Sequence, residues 1–579
     1  MIDALLGRMS LEQKIGQCLV FGMSGTTITN DVREAITRYQ VSGLRLSPFV
    51  KMFRYFSDEE ARRTSVDDPD YRPSMRKIAK PGLPPHLSPA EYCALLNELK
   101  GLAAARSPAL PLHLVIDQEG DVSKDLARGG VPQFPSQMGL AASREPERMV
   151  YEAALATARI LKASGIDMIH SPVVDINLNP RNPEIGVRAF GDDPELVARL
   201  ALAALRGYKE GGVIAAAKHF PGRGDSATDA HHDTPVLDVD LERLREVELL
   251  PYRRLIEAGL DSIMVGHCFY PAVDDKLSTV SRKLITGLLR DELGFEGLIT
   301  TDSMTMGALV KLYGVGESCA RALEAGADLV LMKAENEWRG ETFHTIKTWV
   351  LEGRIDVAEL DAKVRRILAK KLEFGLFTNM GKVDPEGADR PYGDKAVLEL
   401  SRKAAREAVM VVKDEQHLLP LDRAKRILLI NQQNSIKTPN DSHDHPGLFS
   451  EYLESRLPGL LTYEVDFASN ATDETEVPRF VEEHHFDLII CTNWYDRSSP
   501  PLRFPKLLAD RGYPVILLTN TPYLIRETGG LLPGAKTSVL DLNLTPEGLR
   551  TLAEVLLGDL EPEGVWPLEN LTKNPIENI

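Results

Sequence analysis

The sequence predicts a (β/α)8 TIM-like barrel followed by a smaller α/β layered domain. Three observations carry this. Eight short apolar runs recur between the N-terminus and about residue 333, segments with helical apolar spacing lie between them, and most of the runs end in polar, reactive side chains. Runs so continuously apolar fit strands buried on both faces, as in a parallel sheet. Eight of them alternating with helices over roughly 330 residues fit a closed barrel carrying insertions.

Taken in order, MIDALLGRMSLEQKIGQ reads as a helix with a polar face and leads into IGQCLVFG (15–22) and then VSGLRLSP (41–48). LHLVIDQE (112–119) ends on Asp117 and Glu119. The helical segment EPERMVYEAALATARILKA leads to IDMIHSPVVD (166–175), which ends on Asp175. PELVARLALAALRGYKEG leads to VIAAAKHF (213–220), with Lys218 and His219 at its end. SIMVGH (262–267), GLITTD (297–302) and ADLVLMK (327–333) close the series on His267, Asp302 and Lys333. Active sites of such barrels sit at the C-terminal ends of the strands, so polar residues that keep landing there point to an enzyme.

One connection is out of scale. Residues 49–88 follow the second strand, and the stretch 51–80 holds eight Lys/Arg against six Asp/Glu in a chain that is acidic overall. Leaving a strand at its C-terminal end, this insertion is expected at the barrel mouth as a lid or subsite, with a packing or homodimer element as the alternative.

The barrel is expected over 1–375, with a linker and helix over 376–414 and the second domain over 415–579. The helix is read as KAVLELSRKAAREAVMVVKD, and the new strands as RILLINQ, LLTYEVDF, DLIICTNW, PVILLTN and TSVLDLN. His484 and His485, in EEHHFD, read as polarity at a helix end. Neither a P-loop nor a strand-linked G-x-G-x-x-G is present, and no nucleotide cofactor is expected.

Composition narrows the partners. Hydrophobic residues make up 43% and charged residues 26% of the 579, and the net charge is −17. So acidic a mean charge argues against nucleic acid and anionic membranes as partners. The five cysteines are scattered without C-x-x-C spacing, and no window approaches a membrane span or a signal peptide. The expected location is cytoplasmic.

The densest chemistry lies in KHFPGRGDSATDAHHDTP (218–235), which holds three histidines, three aspartates, two glycines and two cations. A solvated loop accounts for Ser226 to Thr228 better than for Lys218 and His219 at a strand end. A metal site lacks any strong ligand spacing, and adjacent His231 and His232 point to opposite faces of an extended chain. Asp229 and His231, two apart, face the same way. A carboxylate beside an imidazole raises its pKa and fixes its tautomer, as a general acid requires.

This stretch resembles the K-H-F-P-G-x-G-x-x-x-x-D-x-H signature of family 3 glycoside hydrolases, in the β-N-acetylglucosaminidase branch. LVIDQEG (114–120), SPVVDINLNPRNPEIGVRAFGDDPE (171–195), MVGHCFYPAVD (264–274) and LSTVSRKLITGLLRDELGFEGLITTDSMTMGAL (277–309) resemble the family's other blocks in the same order. The resemblance implies retaining hydrolysis of terminal β-linked N-acetylhexosamine through a covalent glycosyl-enzyme, with no metal or other cofactor. By it, Asp302 matches the nucleophile and His231 the acid/base oriented by Asp229. Asp117, Arg188, Lys218 and His219 match residues that hold the sugar, and His267 matches a barrel-lining position. The implied partner is a carbohydrate: an amino-sugar oligosaccharide, glycoconjugate or cell-wall fragment.

The chain departs from the pattern in three places. DQEGDVSKDL puts Asp121, Val122 and Asp125 where glycine and arginines are usual, Arg223 replaces a usual histidine, and the 49–88 insertion is larger than the branch carries. Alternatives at this point are a phosphorylase, since a neutral imidazole does not repel phosphate, and a β-glycosidase for another sugar. A metal-dependent barrel hydrolase using His219, His231 and Asp302, and a sugar-binding protein without catalysis, are the readings from other classes. Family members acting on glucose usually draw their acid from the second domain, and 415–579 offers no such residue.

Overall fold

The computed structural model describes residues 1–48, 87–127, 130–228, 234–333, 336–433, 448–466, 470–495 and 501–571. Eight parallel strands form one sheet: β1 (Leu19–Ser24), β2 (Gly43–Ser47), β3 (His113–Ile116), β4 (Met168–Ile169), β5 (Ile214–Phe220), β6 (Ser262–Val265), β7 (Leu298–Thr301) and β8 (Val330–Met332). Each pairs with its neighbour in sequence, and β1 pairs with β8. Between β7 and β8 a parallel bridge joins Thr300 to Leu329, and the Thr301 N–H donates to the Leu329 carbonyl at 3.0 Å. The sheet is therefore a ring, the (β/α)8 barrel expected from the eight runs.

Local chemistry explains where the elements begin and stop. The helix Pro89–Ala104 starts on a reciprocal cap, in which the Ser88 hydroxyl accepts the Glu91 N–H and the Glu91 carboxylate accepts the Ser88 N–H. The helix Pro194–Glu210 starts on Asp193, whose carboxylate accepts the Leu196 N–H at 2.7 Å. β4 keeps only two residues of its ten-residue run, because Pro172 has no N–H to give a ladder. The chain still runs beside β5, with the Lys218 N–H donating to the Pro172 carbonyl and the Val174 N–H to the Lys218 carbonyl.

The second sheet has six strands in the order β11-β10-β12-β13-β16-β9. They are β9 (Val409–Asp414), β10 (Ile427–Gln433), β11 (Leu460–Asp466), β12 (Leu488–Thr492), β13 (Val515–Thr519) and β16 (Thr537–Asp541), with a small hairpin of β14 (Leu524–Ile525) and β15 (Gly529–Gly530). Here the expectation needs one correction. The helix read as continuing to Asp414 ends at Ala408, and the next six residues pair antiparallel with β16. Valines at 409, 411 and 412 favour a pleated strand and disfavour a further helical turn.

The second sheet packs against the barrel mouth. Met138, Ala142 and Val187 share a buried cluster with Met410, Tyr523, Leu540 and Leu568. The Leu544 N–H donates to Asp121 at 2.8 Å, and the Asp192 carboxylate accepts the N–H groups of Glu569, Asn570 and Leu571 at 2.9–3.0 Å. Among the described residues no helix is long and apolar enough to cross a membrane.

Candidate active site

The C-terminal ends of the strands gather charge over the barrel axis. Asp117 follows β3 and is met from four directions. Arg45 of β2 contacts it directly, the His170 Nδ1 lies 3.0 Å away, the Lys218 ammonium 3.5 Å and the Lys333 ammonium 3.7 Å. Burial pushes this carboxyl upward, but Arg45, Lys218 and Lys333 outweigh it and hold the group well below the usual range. Arg45 also pairs with Asp125 at 2.6 Å.

Glu119 is the hub of the next layer. Arg188, at the end of the short helix Gly186–Arg188, forks onto it with Nε and Nη2 at 2.8 and 3.0 Å, and the Lys218 ammonium is 2.5 Å away. Burial raises the Glu119 carboxyl, yet these two cations bring it down to about 2. His219 donates from Nδ1 to Asp175 at 2.7 Å and turns Nε2 to Arg188 at 3.4 Å, a tautomer set by those two partners. Burial, followed by Arg223 and Arg188, holds its imidazolium well below the usual range. Burial lifts Asp175 to about 6. The side chains of Lys218 and His219 both enter this network, where the register between β5 and β6 shifts between Lys218 and Phe220. Such an irregularity re-aims successive side chains.

Asp302 follows β7, and its side chain is 17% exposed at the mouth. Its Oδ1 accepts the Ser303 N–H at 2.7 Å, and its Oδ2 stands 3.6 Å from Nη1 of Arg223. The loop carrying Arg223 needs its glycines. Gly222 has φ +130°, and a Cβ on Gly224 would meet the Ile176 carbonyl oxygen at 1.6 Å. Fully buried His267 reaches the Thr279 hydroxyl at 2.5 Å and the Ser303 carbonyl at 3.0 Å, so it braces the turn after Asp302.

The structure thus brings Asp117, Lys218, His219 and Arg188 into one connected cluster. Arg188 Nη1 lies 3.7 Å from Glu184, and Glu184 lies 2.7 Å from Arg223, which extends the cluster to Asp302. Asp229, His231 and His232 lie outside the described residues, as does nearly all of the 49–88 insertion. Sequence reasoning left Arg45, Glu119, Asp175, Glu184, Arg223 and Lys333 out of the site. Glu119, Asp175 and Lys333 carried a signal, since each closes an apolar run, and Arg45 is a lone cation inside one. Six carboxylates (Asp117, Glu119, Asp125, Asp175, Glu184, Asp302) face five basic side chains (Arg45, Lys218, Lys333, Arg188, Arg223), all but Lys333 largely buried, and this near balance offsets the cost of burying them.

The departure loop acquires a role of its own. Residues 118–124 fold as a tight antiparallel turn, Asp121 at its tip takes the Leu544 N–H of the second sheet, and Lys124 lies 3.1 Å from Asp121. His484 caps the C-terminal end of the helix Ala471–Glu483, where the sequence places it, and stacks on Phe480 with ring centroids 4.2 Å apart.

Residues 86–369, which hold β3 to β8 of the barrel, match the glycosyl hydrolase family 3 N terminal domain. The chain is 33% identical over 278 residues to a beta-hexosaminidase of Thiobacillus denitrificans, a match covering 47% of this chain and 76% of that protein. It belongs to glycosyl hydrolase family 3. Beta-hexosaminidase A of Pseudoalteromonas piscicida is 33% identical over 258 residues, 42% of this chain; the chain spans less than half of that relative's length, 43%. The solved family 3 beta-N-acetylglucosaminidase from Paenibacillus sp. str. FPU-7 superposes with a TM-score of 0.78 at 29% identity, over 97% of this chain and 99% of that one.

Proposed function

We propose that this chain is a retaining glycoside hydrolase that removes terminal β-linked N-acetylhexosamine, N-acetylglucosamine first among them. One observation carries the reading: Asp302 ends its strand at the barrel mouth beside a buried cluster of Asp117, Lys218, His219 and Arg188 that can accept from and donate to sugar hydroxyls. A carboxylate oxygen of Asp302 attacks the anomeric carbon while His231, oriented by Asp229, protonates the leaving oxygen. The imidazole then takes a proton from the water that releases the sugar. Likeness to the Paenibacillus enzyme along nearly the whole of both chains supports the N-acetylglucosamine preference over glucose.

The test is a panel of nitrophenyl glycosides, with and without phosphate and with a chelator, read against Asp302→Ala. The N-acetylglucosaminide should be cleaved fastest, chelator should change nothing, and Asp302→Ala should be inactive but folded. A 2-fluoro sugar that stalls release should add one sugar mass to Asp302. Label on another residue, or near-normal turnover in the variant, sinks the reading, and a sugar phosphate as product would replace hydrolysis with phosphorolysis.

A further inference from the structure

Arg223, the residue standing where the family usually has histidine, is 2% exposed and its backbone is held from several sides. Its N–H donates to Asp175 at 2.8 Å, its carbonyl accepts from Asn182 at 2.9 Å, and the Tyr270 hydroxyl donates to the Gly222 carbonyl before it. Its Nη2 lies 2.7 Å from Glu184. Among the described residues Nε and Nη1 are enclosed without a hydrogen-bond partner, and Nη1 lies 3.6 Å from Asp302 Oδ2, just outside hydrogen-bond distance. Leaving buried donors unsatisfied is costly, and doing so beside the carboxylate at the mouth points to a use there.

We infer that Arg223 is a positioning residue that sets how the two halves of the reaction share the barrier, holding Asp302 as a carboxylate and making it a better leaving group than nucleophile. This rests on reading Asp302 as the nucleophile. In the first half a carboxylate oxygen bonds to the anomeric carbon, the bond from that carbon to the leaving oxygen breaks, and its electron pair takes the acid's proton. Negative charge leaves Asp302. In the second half the oxygen of water bonds to the anomeric carbon, its proton goes to the base, and the ester bond breaks with its electron pair returning to Asp302. A neighbouring guanidinium favours the charged carboxylate, so it opposes the first half and assists the second. Glu184 offsets part of that charge and keeps the bias moderate.

The experiment uses 4-nitrophenyl N-acetyl-β-D-glucosaminide, whose good leaving group makes release the slow half, with Arg223→Met, Arg223→Lys and Glu184→Gln. Removing the cation should move the acid limb of kcat/KM up by about one pH unit, and removing the Glu184 charge should move it down. Arg223→Met should lower kcat about tenfold or more with a smaller change in kcat/KM, and glycosyl-Asp302 should build up by mass. Arg223→Lys should restore part of both. Should Arg223→Met fail to fold, the opposite shift in Glu184→Gln and the smaller one in Arg223→Lys still decide. If the wild type forms no glycosyl-Asp302, the nucleophile reading fails and this inference with it. If the wild type is labelled but neither Arg223→Lys nor Glu184→Gln moves the acid limb, or kcat and kcat/KM fall together in every variant, Arg223 only supports the fold and the inference is overturned.

Discussion

Arg188 grips Glu119 through two parallel hydrogen bonds of 2.8 and 3.0 Å. Lys218 lies 2.5 Å from the same carboxylate, so both cations expected to meet the sugar are already tied to one anion. The arrangement fixes two long side chains before any substrate arrives, which lowers the entropy lost on binding. It also makes Glu119 a residue on which stability and binding both depend.

Glu119→Gln should therefore weaken the fold in a pH-dependent way. The Glu119 carboxyl sits at about 2 in the folded protein against an ordinary 4.5. A depressed carboxyl contributes stability that is fully present above the unfolded pKa and is lost as pH falls toward the folded one. That contribution is roughly 3 kcal/mol at neutral pH. Urea unfolding at steps from pH 6 to pH 3 should show wild type and variant parallel down to about pH 5 and converging below it. A gap of constant size across the range would contradict the paired-carboxylate account.

His231→Ala should slow substrates with poor leaving groups far more than activated aryl glycosides, on the scale of 10²–10⁴ for a lost general acid. Azide or formate should partly rescue release on an activated substrate. Asp229→Ala should show a weaker form of the same pattern, and His232→Ala little effect. Equal damage from His232→Ala would return the dyad to question and favour the metal reading.

The second domain is proposed to leave the chemistry to the barrel. Changing any single carboxylate between 415 and 579 should keep activity within about tenfold, below the range of a lost acid. A larger drop at one position, measured on an unactivated substrate, would place the acid there instead.

Trimming the 49–88 insertion to a short linker should change the ranking of leaving groups or chain lengths more than the melting temperature. Phe53, Tyr55, Phe56 and Tyr71, set among arginines, are suited to stacking on sugar rings. An unchanged ranking together with a change in oligomeric state would assign the insertion to a dimer interface.

Much of this architecture was legible in the chain. Each of the eight apolar runs contains a strand, because a barrel strand is buried on both faces and must be apolar along its length. Asp117, Lys218 and Asp302 could be placed at one end of the ring because each closes its run. The pairings among them could not. Arg223 and Asp302 are 79 positions apart in sequence and meet only through the curvature of the barrel, which no local periodicity encodes. Arg45 went unnoticed because one cation inside VSGLRLSP does not break a strand pattern. The helix that ends at Ala408 read as longer because its apolar spacing runs on into the valines of β9.

The Asp192 carboxylate, filled by the N–H groups of residues 569–571, ties order of synthesis to order of assembly. A chain grows at about 5–20 residues per second, so this pocket waits roughly twenty seconds to over a minute for its occupant. Through that interval the face of the nascent barrel bearing Met138, Ala142 and Val187 stands uncovered. A ribosome pausing within 410–540 would lengthen the exposure, and a chaperone that shields apolar surface would act on that face first.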